Sequence, residues 1–206
     1  MNWDEFNDFK KNVNLILLID HAGRSGNVFF QTIFDKHSQV LACPWIHYVY
    51  SYIVDTLGTD DTLMSPKVLL KWPKTRYFSL VYAELTDNQC DLITKIGGDP
   101  SSELNRELLR DTFKSIISKN EKVSRRDIVI ASYYSYAKAI NRNISNIKYI
   151  LCSDSISLKQ EKALNGFSGK IVDLAIRDFP KTKLIHLERD PRAGLASSCH
   201  QYLNEL

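Results

Sequence analysis

A short and wholly apolar run near the start of the chain restricts the fold more than any other feature. Residues 15–19 are all leucine or isoleucine, and Asn14 and Asp20 bound them. A run of this length without a polar member is typical of a strand buried on both faces, as in a parallel sheet. It leads into a glycine-containing turn, residues 20–26, which is followed at helical spacing by Val28, Phe29, Thr32, Ile33 and Lys36. Strand, turn and helix in this order predict the opening of an α/β domain.

The last third of the chain repeats this alternation of strand and helix. Residues 148–152 and 184–187 are the two further strand predictions. Between them, one helical face is predicted from Ile171, Leu174, Ala175 and Phe179. Asp190 and Pro191 suit the N-cap and the first turn of a helix that follows the last strand. We therefore predict parallel strands that crossover helices connect.

The middle of the chain carries mainly helix signals. Residues 45–57 are rich in aromatic side chains and predict a helix, whereas residues 77–85 fit a helix or a strand. Ser124 and Asp127 form a variant of the capping box, which predicts a helix that continues to about Ile140. A helix upstream of it is predicted from Leu104, Leu108, Phe113, Ile116 and Ile117.

Composition and charge exclude several classes of protein. The 206 residues are 44% apolar and 11% aromatic, which supports one sizeable core and excludes a disordered chain. The basic residues exceed the acidic ones only by 27 to 24 and form no stripe in the sequence, so we expect no nucleic-acid partner.

The acidic start and the short apolar runs exclude a signal peptide and a membrane span, so we expect a cytoplasmic protein without a membrane partner. The cysteines lack the spacing of a disulfide framework or a zinc site, which predicts buried reduced thiols and no metal: Cys43, Cys90, Cys152 and Cys199.

The turn after the first strand has the features of an anion-binding site. A turn from strand to helix exposes free backbone N–H groups at the positive end of the helix dipole. Gly23 and Gly26 allow the backbone to approach a ligand, and Arg24 adds a guanidinium that can hold two oxygens. A nucleoside-triphosphate loop would need a lysine where Asn27 stands, which argues against an ATPase. The alternative is a structural turn with a solvated Arg24.

A second candidate site follows the last predicted strand. Arg189 lies just before the predicted helix cap, and Ser197 lies about two turns into that helix. The two side chains can converge only if the helix packs back against the edge of the sheet. The alternative is a helix cap with Arg189 in a salt bridge. Both candidate sites follow the carboxyl ends of strands, where open α/β sheets bind their ligands.

Together the two segments resemble the sulfotransferases that use 3′-phosphoadenosine 5′-phosphosulfate (PAPS), especially the carbohydrate, tyrosylprotein and bacterial branches. Residues 23–30 and 35–40 are similar to the 5′-phosphosulfate loop of that family and to the helix after it. Residues 179–193, with Ser197 at the right spacing, are similar to its 3′-phosphate motif, and this second similarity is the more specific. The resemblance covers both ends of the chain and, loosely, residues 124–157, but not residues 55–100.

The resemblance implies a P-loop-like parallel sheet flanked by helices in a three-layer α/β arrangement. It implies one domain over residues 1–206, truncated at its C-terminus relative to the family. It also implies sulfuryl transfer from PAPS to a hydroxyl or an amine of a small-molecule or glycan acceptor, without a metal. The 3′-phosphate would bind Arg189 and Ser197. The 5′-phosphosulfate would bind Gly23, Arg24, Ser25, Gly26, Asn27 and the backbone N–H of Val28.

Catalysis would then depend on charge stabilisation and on one base. Arg24 would stabilise the charge that builds on the leaving oxygen. The family often carries a glutamate shortly after the loop helix, and Cys43 stands near that place in this chain. We therefore take His47 as the candidate base, because its ordinary pKa lies close to neutrality. Further candidates are His21 and Asp154.

Two departures from the family pattern keep other functions open. Asn27 and Val28 stand where the loop usually has hydroxyl residues, and Cys43 stands where an acid is expected. These departures favour a nucleotide- or phosphate-binding module without catalysis. The remaining alternatives are an atypical P-loop kinase and an interaction domain that only retains the fold. Four aromatic residues would line an acceptor pocket or belong to the core: Trp45, Tyr48, Tyr50 and Tyr52.

Overall fold

All the strands that the structure describes run parallel. The computed structural model describes residues 2–20, 26–34, 36–47, 50, 105–119, 121–155 and 168–204. Within these ranges, the sheet has the order β2-β3-β1-β4 and consists of β1 (Asn14–Asp20), β2 (Val40–His47), β3 (Tyr149–Ser155) and β4 (Lys183–Leu187). β1 pairs with β3 on one side and with β4 on the other. The predicted α/β fold with a parallel sheet is confirmed.

Six helices accompany the sheet in the described part of the chain. They are α1 (Trp3–Asn12), α2 (Asn27–Thr32), α3 (Arg106–Ser118), α4 (Arg125–Ala139), α5 (Ser168–Asp178) and α6 (Pro191–Asn204). α4 begins with the predicted capping box, in which the Ser124 hydroxyl accepts from the Asp127 N–H and the Asp127 carboxylate accepts from the Ser124 N–H. No helix in the described ranges combines the length and the apolar character that crossing a bilayer requires.

The two faces of the sheet pack against different helices. On one face, alternate residues of β1 lie in the larger core with α1, α3, α4 and α5: Leu15, Leu17 and Ile19. On the other face, Ile16 and Leu18 pack against Phe30 of α2 and Phe34 beyond it. Burial of each such leucine or isoleucine stabilises the fold by about 1.5–3 kcal/mol. The prediction that this strand is buried on both faces is confirmed.

The buried helix α4 is fixed to the sheet and to α5 by polar contacts. The Tyr133 hydroxyl donates to the carbonyl of Leu151 in β3, and burial raises the pKa of Tyr133 well above its ordinary value. At the start of α4, the buried Arg125 guanidinium donates to both carboxylate oxygens of Asp178, at 3.1 and 3.2 Å. A bidentate pair of this kind adds geometric specificity to the packing of the two helices.

The second strand corrects one prediction from the sequence. Residues 45–47 belong to β2 and not to the start of a helix over residues 45–57. β2 is in register with β3 from Val40 to Ala42, loses the register, and resumes it with His47 opposite Ser153. Pro44 lies in the irregular stretch, where it has no N–H to offer to a regular ladder. The rest of the predicted helix except Tyr50, and the prediction for residues 77–85, lie outside the described residues.

Two residues predicted to lie on the buried face of a helix are exposed, and in each case the next residue packs inward instead. Leu108 of α3 is 42% exposed, whereas its neighbour Leu109 is buried. In α2, Phe29 is 70% exposed, and Phe30 packs against the sheet instead. Adjacent apolar residues offer a helix two alternative faces, and packing against the sheet decides between them. The other predicted members of the α3 face that are described are buried, as are those predicted for α5 and for the residue directly after it: Phe113, Ile116, Ile117, Ile171, Leu174, Ala175 and Phe179.

The expected burial of the thiols holds for two of the cysteines. Cys43 and Cys152 are buried, and neither forms a disulfide. Cys199 is exposed on α6, so the expectation is wrong for that residue. Cys90 and Leu104 lie outside the described residues.

Candidate functional site

Three strands end level with one another at one edge of the sheet, which we call the carboxyl edge. Asp20 at the end of β1 is in register with Ser155 at the end of β3 and with Leu187 at the end of β4. Neighbouring strands lie about 4.8 Å apart. The segments that follow β1 and β4 therefore leave the sheet side by side.

The carboxyl edge is also the place where the chain changes faces. After β1, the chain continues into α2, which covers the face of the smaller core. After β3, the next described helix is α5, which packs on the opposite face in the larger core. β1 and β3 are adjacent strands, so a crevice between their carboxyl ends is expected, and open α/β sheets bind ligands at such a point.

The predicted anion-binding turn that follows β1, which we call the first corner, is described only from Gly26 onward. Gly26 is the N-cap of α2 and has a φ of 91°, a left-handed conformation that favours glycine. Its carbonyl accepts from the Phe30 N–H at 2.8 Å, and Asn27 and Val28 form the first turn of α2. α2 ends at Thr32, short of the predicted Lys36, whose own φ of 55° is left-handed and does not continue a helix. Outside the described residues lie His21, Gly23, Arg24 and Ser25.

The second candidate site follows β4, and we call it the second corner. It has the local structure that the sequence indicates. Pro191 begins α6, and the Asp190 carboxylate accepts from the Arg192 N–H at 2.9 Å. Asp190 thus caps the helix, and Arg189 stands exposed directly before the cap. Ser197 lies in α6, about 9 Å along the axis from Pro191.

Asp190 changes the electrostatics of this corner. Its carboxylate also accepts from the Arg192 guanidinium at 2.8 Å, and this side-chain hydrogen bond, with that of the Arg192 N–H, lowers the pKa of Asp190. The helix start is therefore occupied by the carboxylate of Asp190, as the predicted cap requires. An anion here would depend on the Arg189 side chain, while Arg192 neutralises Asp190.

The candidate base lies farther from the second corner than from the first. His47 ends β2 and is in register with Ser153, whose other neighbour is Leu18 of β1. β2 and β4 are the two outer strands of the four-stranded sheet, about 14 Å apart. His47 is thus placed two strands from β1 and three from the strand that precedes Arg189.

Several residues near the carboxyl edge are too deeply buried for a catalytic role in an open cleft. Cys43 is fully buried in the larger core, as is Tyr50, so neither of these two side chains faces a cleft. Asp154, a further base candidate, is 1% exposed and in register with Ile19. Ser153 is equally buried, and its hydroxyl has no hydrogen-bond partner among the residues that the structure describes.

Sequence reasoning missed one titratable pair at this edge. His186 of β4 has Nδ1 3.5 Å from a carboxylate oxygen of Glu188. Alternation along a strand places such side chains two residues apart on one face, which is the signal that would have found the pair. His186 also lies in register with Ile19, so it belongs to the same row of the sheet as Asp154.

The fold and the site together define an α/β protein whose sheet carries two turn-to-helix corners at its carboxyl edge. Within the described ranges, no group of three or more histidine, cysteine or acidic residues is placed to hold a metal ion. No protein-family model, no curated protein and no solved structure matches the chain.

Proposed function

We propose that the chain is a sulfotransferase that moves the sulfuryl group of PAPS to a hydroxyl or an amine of a small-molecule or glycan acceptor. The P-loop-like three-layer arrangement is part of the same proposal. One observation carries it: Asp20 and Leu187 are neighbours in register, so the two motif-bearing segments start side by side at one edge. A donor with anionic groups at two ends requires two anion-binding places within the length of one nucleotide.

The residues present fit the two ends of such a donor. Gly26 supports the proposal at the first end, because its left-handed backbone at the start of α2 carries no side chain and residues 23–28 would hold the 5′-phosphosulfate. At the other corner, Arg189 would hold the 3′-phosphate together with Ser197. The Asp190 carboxylate is already paired with Arg192, which reduces its repulsion of an incoming phosphate.

The chemistry assigned to this chain is positioning and charge stabilisation, as in phosphoryl transfer. PAPS supplies an activated sulfuryl group. A bond forms between the acceptor oxygen or nitrogen and sulfur while the bond from sulfur to the bridging phosphate oxygen breaks. Arg24 would stabilise the negative charge on that oxygen, and His47 would accept the proton of the acceptor.

A nucleotide-binding module without catalysis is the second candidate function. The burial of Cys43 favours it, because a fully buried thiol cannot substitute for the glutamate of the family as a base in an open cleft. This candidate retains both anion-binding corners and lacks only turnover.

The test combines a binding measurement with a transfer measurement. Adenosine 3′,5′-bisphosphate at a hundred times its Kd would stabilise the protein by about 2.7 kcal/mol, which raises the Tm of a chain of this size by roughly 5–10 °C. Radiolabelled PAPS with a pooled acceptor library would then give labelled product. A Tm shift without product would support the binding module, and Mg²⁺-dependent ATP hydrolysis would support a kinase. No Tm shift with the bisphosphate would overturn both nucleotide proposals.

A further inference from the structure

The parallel sheet gathers basic residues at the edge opposite the candidate site. All four strands enter the sheet from this edge, which we call the amino edge. Residues 10–13, 36–39, 140–148 and 179–183 lead into them, and the last of these segments includes the first residue of β4, Lys183. These segments contain seven basic residues and no aspartate or glutamate: Lys10, Lys11, Lys36, Arg142, Lys148, Lys181 and Lys183. They are far apart in the sequence and adjacent in the fold.

Hydrogen bonds between the segments establish that they adjoin. The Asn14 N–H donates to the Lys148 carbonyl, and the Lys148 N–H donates to the Gln39 carbonyl, both at 2.9 Å. The Arg142 guanidinium donates to the His37 carbonyl at 2.7 Å. The Lys183 ammonium lies 4.7 Å from the centre of the ring of Tyr149, next to Lys148. The four segments that carry the basic residues thus adjoin one another at the amino edge.

The positive charge of this surface is mostly uncompensated. Asp127 pairs with Lys10 at 2.6 Å, and Asp178 pairs with Arg125, whereas the nearby Asp8 carboxylate accepts from the Asn12 side chain and has no ion pair with a residue in the described ranges. Four exposed lysines form no ion pair with any residue in the described ranges: Lys11, Lys36, Lys148 and Lys181. The chain as a whole has a net charge of only +3, so positive charge is concentrated at this edge.

The shape of the surface indicates the kind of polyanion that fits it. Asn14, Val40 and Tyr149 are in one register, so three strands start level, and β4 starts only two residues, or about 7 Å, later. The charges are therefore arranged on a level edge and not along a groove. Six of the seven are lysines, whose compact charges suit a diffuse anionic surface better than paired, bidentate recognition.

We propose that the amino edge docks on a membrane surface that carries anionic phospholipids, contrary to the expectation from the sequence that the chain has no membrane partner. Lysines close to such a surface attract it from within a Debye length. β1 separates the two edges by about 20 Å, so docking leaves the carboxyl edge turned away from the lipid. The proposal is independent of the proposed function, because it involves none of the residues at the carboxyl edge.

The test measures flotation of the full chain with vesicles at low and high salt. We expect binding to vesicles of phosphatidylcholine with 30% phosphatidylserine, none to phosphatidylcholine alone, and release of the chain at high salt. Lys148→Gln with Lys181→Gln removes two charges, and the apparent affinity should fall about thirtyfold, or about fivefold per lysine. Lys114→Glu on the exposed side of α3 changes the net charge by the same amount and should leave binding within twofold.

Three results would overturn the proposal. They are equal binding to both vesicles, equal losses in the two variants, and binding to a short DNA duplex without binding to the anionic vesicles. The last result would assign the amino edge to nucleic acid. Melting curves of both variants verify that the substitutions act on docking and not on folding.

Discussion

The two edges of this sheet are built by the chain in different ways. The carboxyl edge takes its functional residues from two continuous segments, each of which leaves a strand and enters a helix. The amino edge takes its basic residues from four segments that span residues 10–183. A motif that is continuous in sequence can be recognised before the fold is known, whereas a surface assembled by topology becomes visible only afterwards. The charge that sequence composition describes as a mild excess is in fact concentrated at one end of the sheet.

The buried ion pair near the amino edge gives the largest expected effect. Asp178→Ala leaves the Arg125 guanidinium buried without its main partner, and the free energy of unfolding should fall by about 3–5 kcal/mol. Chemical denaturation measures this loss. Asp173→Ala, an exposed position of the same helix, should change stability by less than about 0.5 kcal/mol. Equal small losses in both variants would show that the pair does not hold α4 to α5.

A substitution at the first corner tests whether the carboxyl edge is catalytic. Arg24→Ala removes a charge that is needed most when the leaving oxygen becomes negative, so turnover of PAPS should fall about 10²–10³-fold with a much smaller change in donor affinity. Steady-state kinetics with the acceptor found in the transfer assay separate the two quantities. Equal losses of kcat and affinity would make Arg24 a binding residue, and Lys114→Ala serves as the control.

A backbone substitution at the same corner has a smaller expected effect. In Gly26→Ala, the added Cβ meets no atom within 4 Å, so the cost is that of the left-handed backbone, about 1–2 kcal/mol in the free energy of unfolding. Gly194→Ala is the matched control, since its Cβ also meets open space but its backbone is helical, and it should stabilise the protein by about 0.5–1 kcal/mol. Destabilisation by both variants would contradict this explanation.

The smallest effect concerns the acid at the second corner. Arg192→Ala removes the side-chain hydrogen bond that lowers the pKa of Asp190, so that pKa should rise towards its ordinary value while the backbone N–H still holds it slightly below. Because the pKa is lowered in the folded state, this contact stabilises at neutral pH and is lost as the pH falls through the folded-state pKa. Carboxyl NMR titration of both proteins measures the change. An unchanged pKa would show that Arg192 does not neutralise Asp190.

Local signals predicted much of this fold. The runs at residues 15–19, 148–152 and 184–187 became β1, β3 and β4. For β1 and β3 the reason is that a strand buried on both faces has almost no freedom in composition, whereas β4 lies at the edge of the sheet and has Leu184 52% exposed. Ser124 and Asp190 formed the expected caps, since capping depends on residues only two or three positions away.

The failures lie where distant parts of the chain decide the structure. β2 exists because β3 offers it an edge, and its aromatic residues and Pro44 gave no sign of that partner. α1 was also missed, although Asn2 accepts from the N–H groups of Asp4 and Glu5, which is a readable cap. At the second corner, the sequence predicts the Asp190 cap but not the pairing of the Asp190 carboxylate with the Arg192 guanidinium, because that pairing depends on side-chain geometry.

The central claim is that one nucleotide bridges the two corners of the carboxyl edge, and calorimetry with two ligands tests it most directly. Adenosine 3′,5′-bisphosphate has the 3′-phosphate that Arg189 would hold, whereas adenosine 5′-monophosphate lacks it. Arg189→Ala should weaken the binding of the bisphosphate by about 1.5–3 kcal/mol and leave the binding of the monophosphate unchanged. An equal loss of affinity for both ligands, or no loss for either, would contradict the account.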